Sequence, residues 1–483
     1  MNGVGLIGIL PIIVLAAASV VLMLMIAVKR DYQLAWRGAL AGVVAALLSI
    51  PIAASVAPTT ATDLMIVDGF ALFFSALLLV TGAYVLIFSY RYFQVREGEN
   101  EEFFLLILIA LLGAVTMVYS NHFASFFVGL ETLSVALFAL IAYPVKQRRS
   151  LEAAFKYLVL SGVSSAFLLF GMALIYAETG TMAFAEMSLV LSPAGEHPYS
   201  LVGIIMILIA LGFKLSLVPF HMWTPDIYQG APAPVTAFVA TVSKGAILAV
   251  WLRMFIAFGL NTSEALVTVM SLLAYFTIIV GNILALLQNN IKRMLAYSSI
   301  AHLGYILVIF CAGFSTDGEL VSEAVMLYLV VYILTTLGSF GIVTALSPDN
   351  REAETLDDYT GLFWRHPLLA AQFTIMLLAL AGIPLTAGFI AKFYVFMAGV
   401  QGDLWLLLWM VVIGSGFGLF YYLRIVKVMI KPRTGNRFDS NIKVSITRIE
   451  WIAQTLLTVI IIYLGVVPGG LIEMLGDIGR GIG

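Results

Sequence analysis

The chain has 483 residues, of which 62% are hydrophobic and 11% are charged, and its formal net charge of −2 gives no sign of a nucleic-acid partner. Soluble domains carry about a quarter of charged residues, so this composition is typical of a membrane protein and excludes an ordinary water-soluble fold. The single cysteine, Cys311, excludes an internal disulfide and a cysteine-ligated iron–sulfur cluster, and no phosphate-binding loop or dinucleotide-binding glycine motif occurs.

Fourteen apolar runs are each long enough to cross a bilayer, which takes about 20 residues. Numbered spans 1 to 14, they cover residues 5–27, 36–57, 69–90, 103–119, 121–142, 152–177, 200–223, 234–257, 263–287, 293–313, 322–346, 368–400, 404–425 and 450–469. They predict an all-α, polytopic membrane fold. Lys29 and Arg30 follow the first run instead of preceding it, which is the reverse of a cleaved signal peptide, so we expect span 1 to be retained.

Lysine and arginine are confined to alternate loops. Every loop after an odd-numbered span holds at least one of them, except the loop after span 7, whereas the loops after even-numbered spans hold none. Under the positive-inside rule, the basic loops face the cytoplasm and both termini lie on the periplasmic side.

A few ionisable residues fall within the spans themselves. The cations are Lys156, Lys214, Lys244, Arg253 and Lys392. Glu131 is the acid nearest to the middle of a span, and His302 is also central. A charged group inside a bilayer is costly, so such residues are by default functional candidates. We expect Arg253, near the outer end of span 8, to extend toward water.

An internal repeat predicts how the spans are grouped. The pattern E-A-x-x-x-Y-L-V occurs at 152–159 and at 323–330, and the same offset of 171 residues carries Glu131 onto His302. The first copy opens span 6 from the cytoplasm and the second opens span 11 from outside, which predicts two inverted five-span repeats. The expected divisions are 1–100 (spans 1 to 3), 101–258 (first repeat), 259–430 (inverted second repeat) and 431–483 (cytoplasmic loop and span 14).

Proline predicts a break in the fourth span of each repeat. Pro219 frees the carbonyl of Leu215 beside Lys214, and Pro384 does the same for Leu380 within span 12, which also holds Lys392. Unsatisfied backbone at membrane depth is tolerated only where it is buried in protein or lines water. Both breaks therefore predict hydrated cavities beside a lysine.

Five stretches together resemble one family. They are GLETLS at 129–134, RRSLEAAFKY at 148–157, GFKLSLVPFHMWTPDIYQGAPAPVTAFVATVSK at 212–244, NIKRMLAYSSIAHLGY at 290–305 and LALAGIPLTAGFIAKFYVF at 378–396. The chain is similar over essentially its whole length to the antiporter-like membrane subunits of bacterial respiratory NADH:quinone oxidoreductase, complex I. These subunits are related to multi-subunit sodium/proton antiporters.

The resemblance implies proton translocation driven by redox chemistry elsewhere in the complex. Residues that match the family's proton path are Glu131 in span 5, Lys214 in span 7, Lys244 in span 8, Lys392 in span 12, and the histidines His221 and His302. A lysine at 392, where the related subunit M has glutamate, favours the N-type branch. Lys156 is a further relay candidate, although its position four residues after Glu152 and one turn from the cytoplasm equally fits a lysine that reaches water.

The resemblance also implies partners and location. Subunits K and M would flank the chain in the bacterial inner membrane, and a lateral helix of subunit L would run along it. NAD, FMN, iron–sulfur clusters and quinone would be bound by other subunits, with no cofactor and no metal in this chain.

The charged groups suggest how protons could move. Burial favours the neutral form of a lysine, and a nearby carboxylate favours the charged form. We expect Glu131 to pair with Lys214, so that making or breaking the pair switches the lysine's proton affinity. Lys244 would relay, Lys392 would exchange with the outer side, and the histidines would relay or gate. The alternatives are an autonomous sodium/proton antiporter and a scaffold that moves no ions, whereas an ordinary solute carrier lacks a polar substrate pocket.

Overall fold

The computed structural model describes residues 3–96, 98, 100–191, 198–258, 264–313, 318–347, 351–432 and 446–481. Within these ranges the chain is helical apart from short connections and two small strands. Thirteen of the described helices are long and apolar enough to cross a membrane, and span 12 is present as two shorter apolar helices. The all-α, polytopic fold is confirmed.

The fourteen predicted spans all correspond to helices. Spans 1 to 6 are Leu10–Val28, Tyr32–Ala54, Gly69–Gln94, Glu101–Val118, Phe123–Ile141 and Arg148–Thr179. Span 7 is Pro198–Leu215 followed by Trp223–Gly230, and span 8 runs over Ala233–Ala257. Spans 9 to 11 are Glu264–Leu286, Ile291–Ala312 and Gly318–Ala345. Span 12 is Pro367–Ala381 with Ala387–Gln401, and spans 13 and 14 are Trp405–Ile430 and Arg448–Val466.

Several shorter elements were not predicted. The strands Thr59–Thr62 and Met65–Val67 pair antiparallel between spans 2 and 3, with Thr59 opposite Val67. The other elements are the helices Gly3–Gly8, Phe184–Leu191, Leu362–Arg365 and Gly469–Arg480 and the 3-10 turn Leu356–Tyr359. In the predicted division 431–483, the cytoplasmic loop lies outside the described residues over 433–445.

Polar residues mark where several spans begin. The carboxylate of Asp31 accepts from the amide of Leu34 at 3.0 Å, and Asn290 accepts from the amide of Arg293 at 3.0 Å. Thr447 begins span 14 with a reciprocal capping box. Such caps satisfy amides that have no partner within the helix, so they fix the first residue of each span.

The breaks predicted in spans 7 and 12 are both present. Span 7 stops at Leu215, and Ser216 follows with φ of 66°. Span 12 stops at Ala381, and Gly382 (φ 81°) and Leu385 (φ 72°) lie in the gap. Left-handed backbone at a residue other than glycine costs about 1–2 kcal/mol and is held only by the surrounding packing. The fourth span of each predicted repeat therefore has the same interrupted form, while the inversion of the repeats stays a prediction.

Spans 8, 10 and 11 form the centre of the bundle. In an 18-residue apolar stretch of each of these helices, 100%, 100% and 94% of the residues are buried. The corresponding share is 28% for spans 1 and 14. Side chains on the three central helices therefore meet protein and not lipid, which is where a polar group can persist at membrane depth.

Candidate functional site

Lys214 lies one residue before the end of the first half of span 7 and is held by two serines. Its ammonium donates to the hydroxyls of Ser134 in span 5, at 2.9 Å, and Ser161 in span 6, at 2.6 Å. The lysine is only 3% exposed. A serine hydroxyl can accept from an ammonium or donate to a neutral amine, so this contact can persist whether the lysine is charged or neutral.

The predicted direct contact between Glu131 and Lys214 is not made. Glu131 instead accepts from the hydroxyl of Ser165 at 2.6 Å. Ser165 lies four residues after Ser161, and Ser134 lies three residues after Glu131, so the two members of each pair share one face of their helix. The acid and the base thus bind different serine hydroxyls and form no ion pair.

The break in span 7 exposes backbone and a histidine to the protein interior. The indole nitrogen of Trp223 donates to the carbonyl of Phe213 at 2.8 Å, which satisfies one of the freed acceptors. His221 is 6% exposed and lies in the turn between Leu215 and Trp223. The relay or gating role of His221 stays a prediction.

Lys244 follows an irregular turn of span 8 that the sequence analysis did not predict. Val239–Ser243 forms a π-helical turn directly before Lys244, and such turns are common at functional sites. The Lys244 ammonium is 1% exposed and donates to the hydroxyl of Ser299 in span 10 at 2.7 Å. Ser299 is in turn 2.5 Å from the hydroxyl of Tyr332 in span 11.

His302 lies on span 10 between two tyrosines. Its Nδ1 shares a hydrogen bond with the Tyr328 hydroxyl at 2.6 Å, and its Nε2 shares one with the Tyr422 hydroxyl at 3.3 Å. The histidine is 5% exposed. Both ring nitrogens are therefore hydrogen-bonded, and a change of tautomer would exchange donor and acceptor in the two hydrogen bonds.

Lys392 reaches back to the break in its own span. Its ammonium donates to the carbonyl of Ala381 at 2.8 Å and lies 5.2 Å from the ring centre of Tyr305. Gly382 makes room for it, because a Cβ added there would lie 2.6 Å from the Lys392 Cδ. The freed acceptor thus belongs to Ala381, one residue after the predicted Leu380.

A small cavity joins the last two groups. Its volume is about 10 Å³, close to the minimum that one water requires, and its lining includes His302, Tyr332, Thr335, Gly388 and Lys392. A cavity thus lies beside the second break, and its hydration stays a prediction.

The three buried lysines share one property. Each ammonium donates to neutral oxygens, as seen for Lys214, Lys244 and Lys392. Among the described residues, no carboxylate oxygen lies within 4.0 Å of these three nitrogens, the distance that defines an ion pair. A buried ammonium without a counter-ion is costly, so the neutral amine is accessible to each of them.

Lys156 lies apart from these groups. Its ammonium contacts Glu152 at 2.8 Å and Asp226 at 2.9 Å, and its side chain is 42% exposed. Asp226 also accepts from Arg293 at 2.8 Å. The structure thus favours the reading in which Lys156 reaches water near the first turns of span 6.

The expectation that Arg253 extends toward water is wrong. Its guanidinium donates to both carboxylate oxygens of Asp68, at 2.7 and 2.9 Å, and both side chains are 4% exposed. Asp68 also caps span 3 through the amide of Ala71. A counter-ion 185 positions away along the chain, which periodicity cannot reveal, keeps this cation inside the bundle.

Glu352 is a largely buried ionisable residue that the sequence did not predict. Its carboxylate accepts from the Lys292 ammonium, the Tyr92 hydroxyl and the amide of Ala233, the last at 2.7 Å. Burial raises the pKa of Glu352, but the charge and hydrogen bond of Lys292, with the other two donors, outweigh burial and hold the pKa below its ordinary value. Lys292, which we expected in a cytoplasmic loop, lies in the first turn of span 10, and its side chain is completely buried.

A metal centre is not apparent in the described part of the chain, where no three His, Cys, Asp or Glu residues are grouped so that they could hold an ion. What the described residues do bring together are lysines, a histidine, serines and tyrosines, which are groups that exchange protons.

Comparison with known proteins shows which family the chain is similar to. Residues 120–418 match the family described as NADH:quinone oxidoreductase/Mrp antiporter, TM. The NADH-quinone oxidoreductase subunit N of Methylococcus capsulatus is 50% identical over 423 residues, which cover 88% of this chain and 86% of that protein.

Solved structures agree with the sequence match. A chain of respiratory complex I from Thermus thermophilus with bound aureothin is 31% identical, with a TM-score of 0.81 over 96% of this chain and 98% of that one. A chain of the Mrp complex from Dietzia sp. is 18% identical, with a TM-score of 0.85 over 99% of this chain and 97% of that one. This likeness shows a common fold.

Proposed function

The chain belongs to the NADH:quinone oxidoreductase/Mrp antiporter transmembrane family, and from this premise we propose that it moves protons along its buried lysines and His302. It is an N-type membrane subunit of respiratory complex I, a proton-translocating NADH–quinone oxidoreductase, as the sequence resemblance predicted. The autonomous sodium/proton antiporter is not better supported by these relatives.

The proposal is based on the surroundings of the three buried lysines. Lys214, Lys244 and Lys392 are held by neutral oxygens in place of carboxylates, so no permanent counter-charge fixes them in the ammonium form. A structural lysine would be expected to have an acid beside it, as Lys292 has Glu352. Lysines that lack one can give up a proton and take it back without separating an ion pair.

Serine hydroxyls suit the first step. Ser134 and Ser161 can keep their hydrogen bonds to Lys214 as its proton leaves, because each hydroxyl can donate as well as accept. Glu131, held through Ser165, would stabilise the charged lysine from a distance. A movement that brings the carboxylate closer would favour the ammonium, and one that withdraws it would favour release.

The remaining groups follow in order. We assign Lys244 and His302 to the central relay and Lys392 to exchange with the outer side, the direction being that of the family. His221 would gate the break in span 7, and Lys156, with Asp226, would form the cytoplasmic approach. These sites would titrate as a coupled set.

Partners and cofactors follow from membership of the complex. Other complex I membrane subunits are its partners, and we propose that subunits K and M flank it and that a lateral helix of subunit L contacts it. NAD, FMN, iron–sulfur clusters and quinone would be bound by other subunits. The chain lies in a membrane, and we propose the bacterial inner membrane with both termini periplasmic.

The test uses the assembled complex in liposomes. Glu131→Gln, Lys214→Ala and Lys244→Ala should each reduce proton pumping coupled to NADH oxidation without preventing assembly. Lys427→Ala, which removes an exposed lysine of span 13, should change neither. Normal redox turnover and pumping in Glu131→Gln and Lys244→Ala would refute the relay, and the same result in Lys214→Ala would support a scaffold. Sodium uptake driven by a pH gradient in liposomes with the chain alone would favour the autonomous antiporter.

A further inference from the structure

The hydrogen bonds beyond Lys244 all run in one direction. The ammonium donates to Ser299 at 2.7 Å, and the Tyr332 hydroxyl donates its one hydrogen to the carbonyl of Ala240 at 3.1 Å. The 2.5 Å contact between Ser299 and Tyr332 must then be donated by the serine. The Tyr228 hydroxyl, 3.5 Å from Ser299, is too distant to compete strongly.

The row ends at the irregular turn of span 8. Ala240 belongs to the π-helical turn Val239–Ser243, where the regular ladder of i to i−4 hydrogen bonds is interrupted. A backbone carbonyl accepts hydrogen bonds but has no proton to pass on. With Tyr332 bound to Ala240, a proton from Lys244 therefore cannot pass onward through the Tyr332 hydroxyl.

Tyr332 also borders the one-water cavity. The same cavity is lined by His302 and Lys392, and the ring centres of His302 and Tyr332 are 5.8 Å apart. The tyrosine thus lies between the two halves of the proposed relay, with Lys244 and Ser299 on one side and His302 and Lys392 on the other. The residue is 2% exposed, so bulk water does not reach it directly.

We propose that Tyr332 gates the connection between Lys244 and the second half of the relay, by turning its hydroxyl from the Ala240 carbonyl to a water in this cavity. The inference rests on the proposed function, because it concerns one step of the same proton path. The π-helical turn holds the gate closed, and occupation of the cavity by water offers the alternative acceptor.

Protons balance along the open row. The Lys244 ammonium gives a proton to Ser299, Ser299 gives its own to Tyr332, and Tyr332 gives its own to the water, which protonates His302 or Lys392. Each hydroxyl ends with one proton, Lys244 becomes a neutral amine, and the row is left pointing the opposite way. Rotation of the two hydroxyls and return of Tyr332 to Ala240 reset it.

The test compares variants in the assembled complex in liposomes. Tyr332→Phe keeps the ring and removes the hydroxyl, and Ser299→Ala removes the preceding one. Each should lower pumping-coupled turnover by roughly a hundredfold, the lower end of what a positioned proton-transfer group contributes. Ser299→Thr, which keeps a hydroxyl, should restore it. Tyr359→Phe is the matched control, because that buried hydroxyl also donates to a carbonyl, that of Ala353 at 3.0 Å, away from the relay.

Two readouts separate a proton gate from a packing role. The solvent deuterium isotope effect on turnover should rise in Tyr332→Phe and stay unchanged in Tyr359→Phe. If Tyr332→Phe pumps normally while Lys244→Ala does not, the gate is refuted and the proposed function stands. If Tyr332→Phe and Lys244→Ala both pump normally, the gate and the proposed function are both refuted. Should Tyr332→Phe not assemble, Ser299→Ala against Ser299→Thr decides, because equal pumping by the two would also refute the row.

Discussion

Replacing Lys244 with methionine should make the protein more stable while stopping proton transfer. Methionine fills a similar volume without a charge, and a cation in the membrane interior costs about 2.5–3.5 kcal/mol on insertion scales. The variant loses one charged hydrogen bond to Ser299, which is worth about 1.5–3 kcal/mol. Ser299 keeps Tyr332 as a partner, so no buried group is orphaned. The balance is about 1 kcal/mol in favour of methionine.

Arg253 provides a matched control in the same helix. It is 4% exposed against 1% for Lys244, but Asp68 neutralises it. Arg253→Met leaves that carboxylate buried and without a counter-charge, which should cost about 3–5 kcal/mol. Two cation-to-methionine changes nine residues apart in one helix should therefore shift the free energy of unfolding in opposite directions.

Thermal unfolding of the purified chain in detergent measures the stability, and NADH-driven pumping by the assembled complex measures the function. The expected result is a raised midpoint without pumping for Lys244→Met and a lowered midpoint for Arg253→Met. A midpoint lowered as far by Lys244→Met as by Arg253→Met would refute the reasoning, because Lys244 would then be a structural cation.

Three further predictions concern the supports of the relay. Gly382→Ala should lower the unfolding midpoint and impair pumping, because the added Cβ would collide with Lys392 and the backbone φ is 81°. Gly416→Ala is the control and should change neither, because a Cβ there meets nothing within 4 Å. Equal midpoints for the two variants would count against crowding at Gly382. Ser165→Ala should impair pumping without loss of assembly by disconnecting Glu131, and pumping at the normal rate would contradict that link. The pKa of Glu352 in the folded chain lies below its ordinary value of 4.5, so the stability that Glu352 contributes is complete above pH 4.5 and is lost as the pH falls through the folded-state pKa. The unfolding midpoint of the native chain should therefore drop in this acidic range, and that of Glu352→Gln should drop less. Parallel plots of midpoint against pH for the two chains would disprove the contribution.

Much of the fold could be predicted because bilayer thickness and proline chemistry act locally. Fourteen apolar runs became helices, and the breaks after Leu215 and Ala381 appear where Pro219 and Pro384 remove amides. The ionisable groups were found for the same reason, since a lysine in an apolar run is visible without any partner.

What escaped prediction depends on contacts between distant segments. The stretch VATVS contains no proline or glycine, so its π-helical turn could not be distinguished from an ordinary helix. Arg253 looked like a terminal cation because its partner, Asp68, lies far away in the sequence. The serines that bind Glu131 and Lys214 are ordinary helix residues until the helices pack. Sequence thus identified the groups that can carry charge, while packing determined which of them are neutralised.

The central claim is that buried lysines without a carboxylate change charge during turnover. Infrared difference spectra of the complex, recorded during NADH oxidation with ¹⁵N-lysine in this chain, test it most directly. We predict isotope-sensitive ammonium bands that appear with turnover and weaken in Lys244→Met. A complex that pumps normally with no isotope-sensitive band would contradict the account.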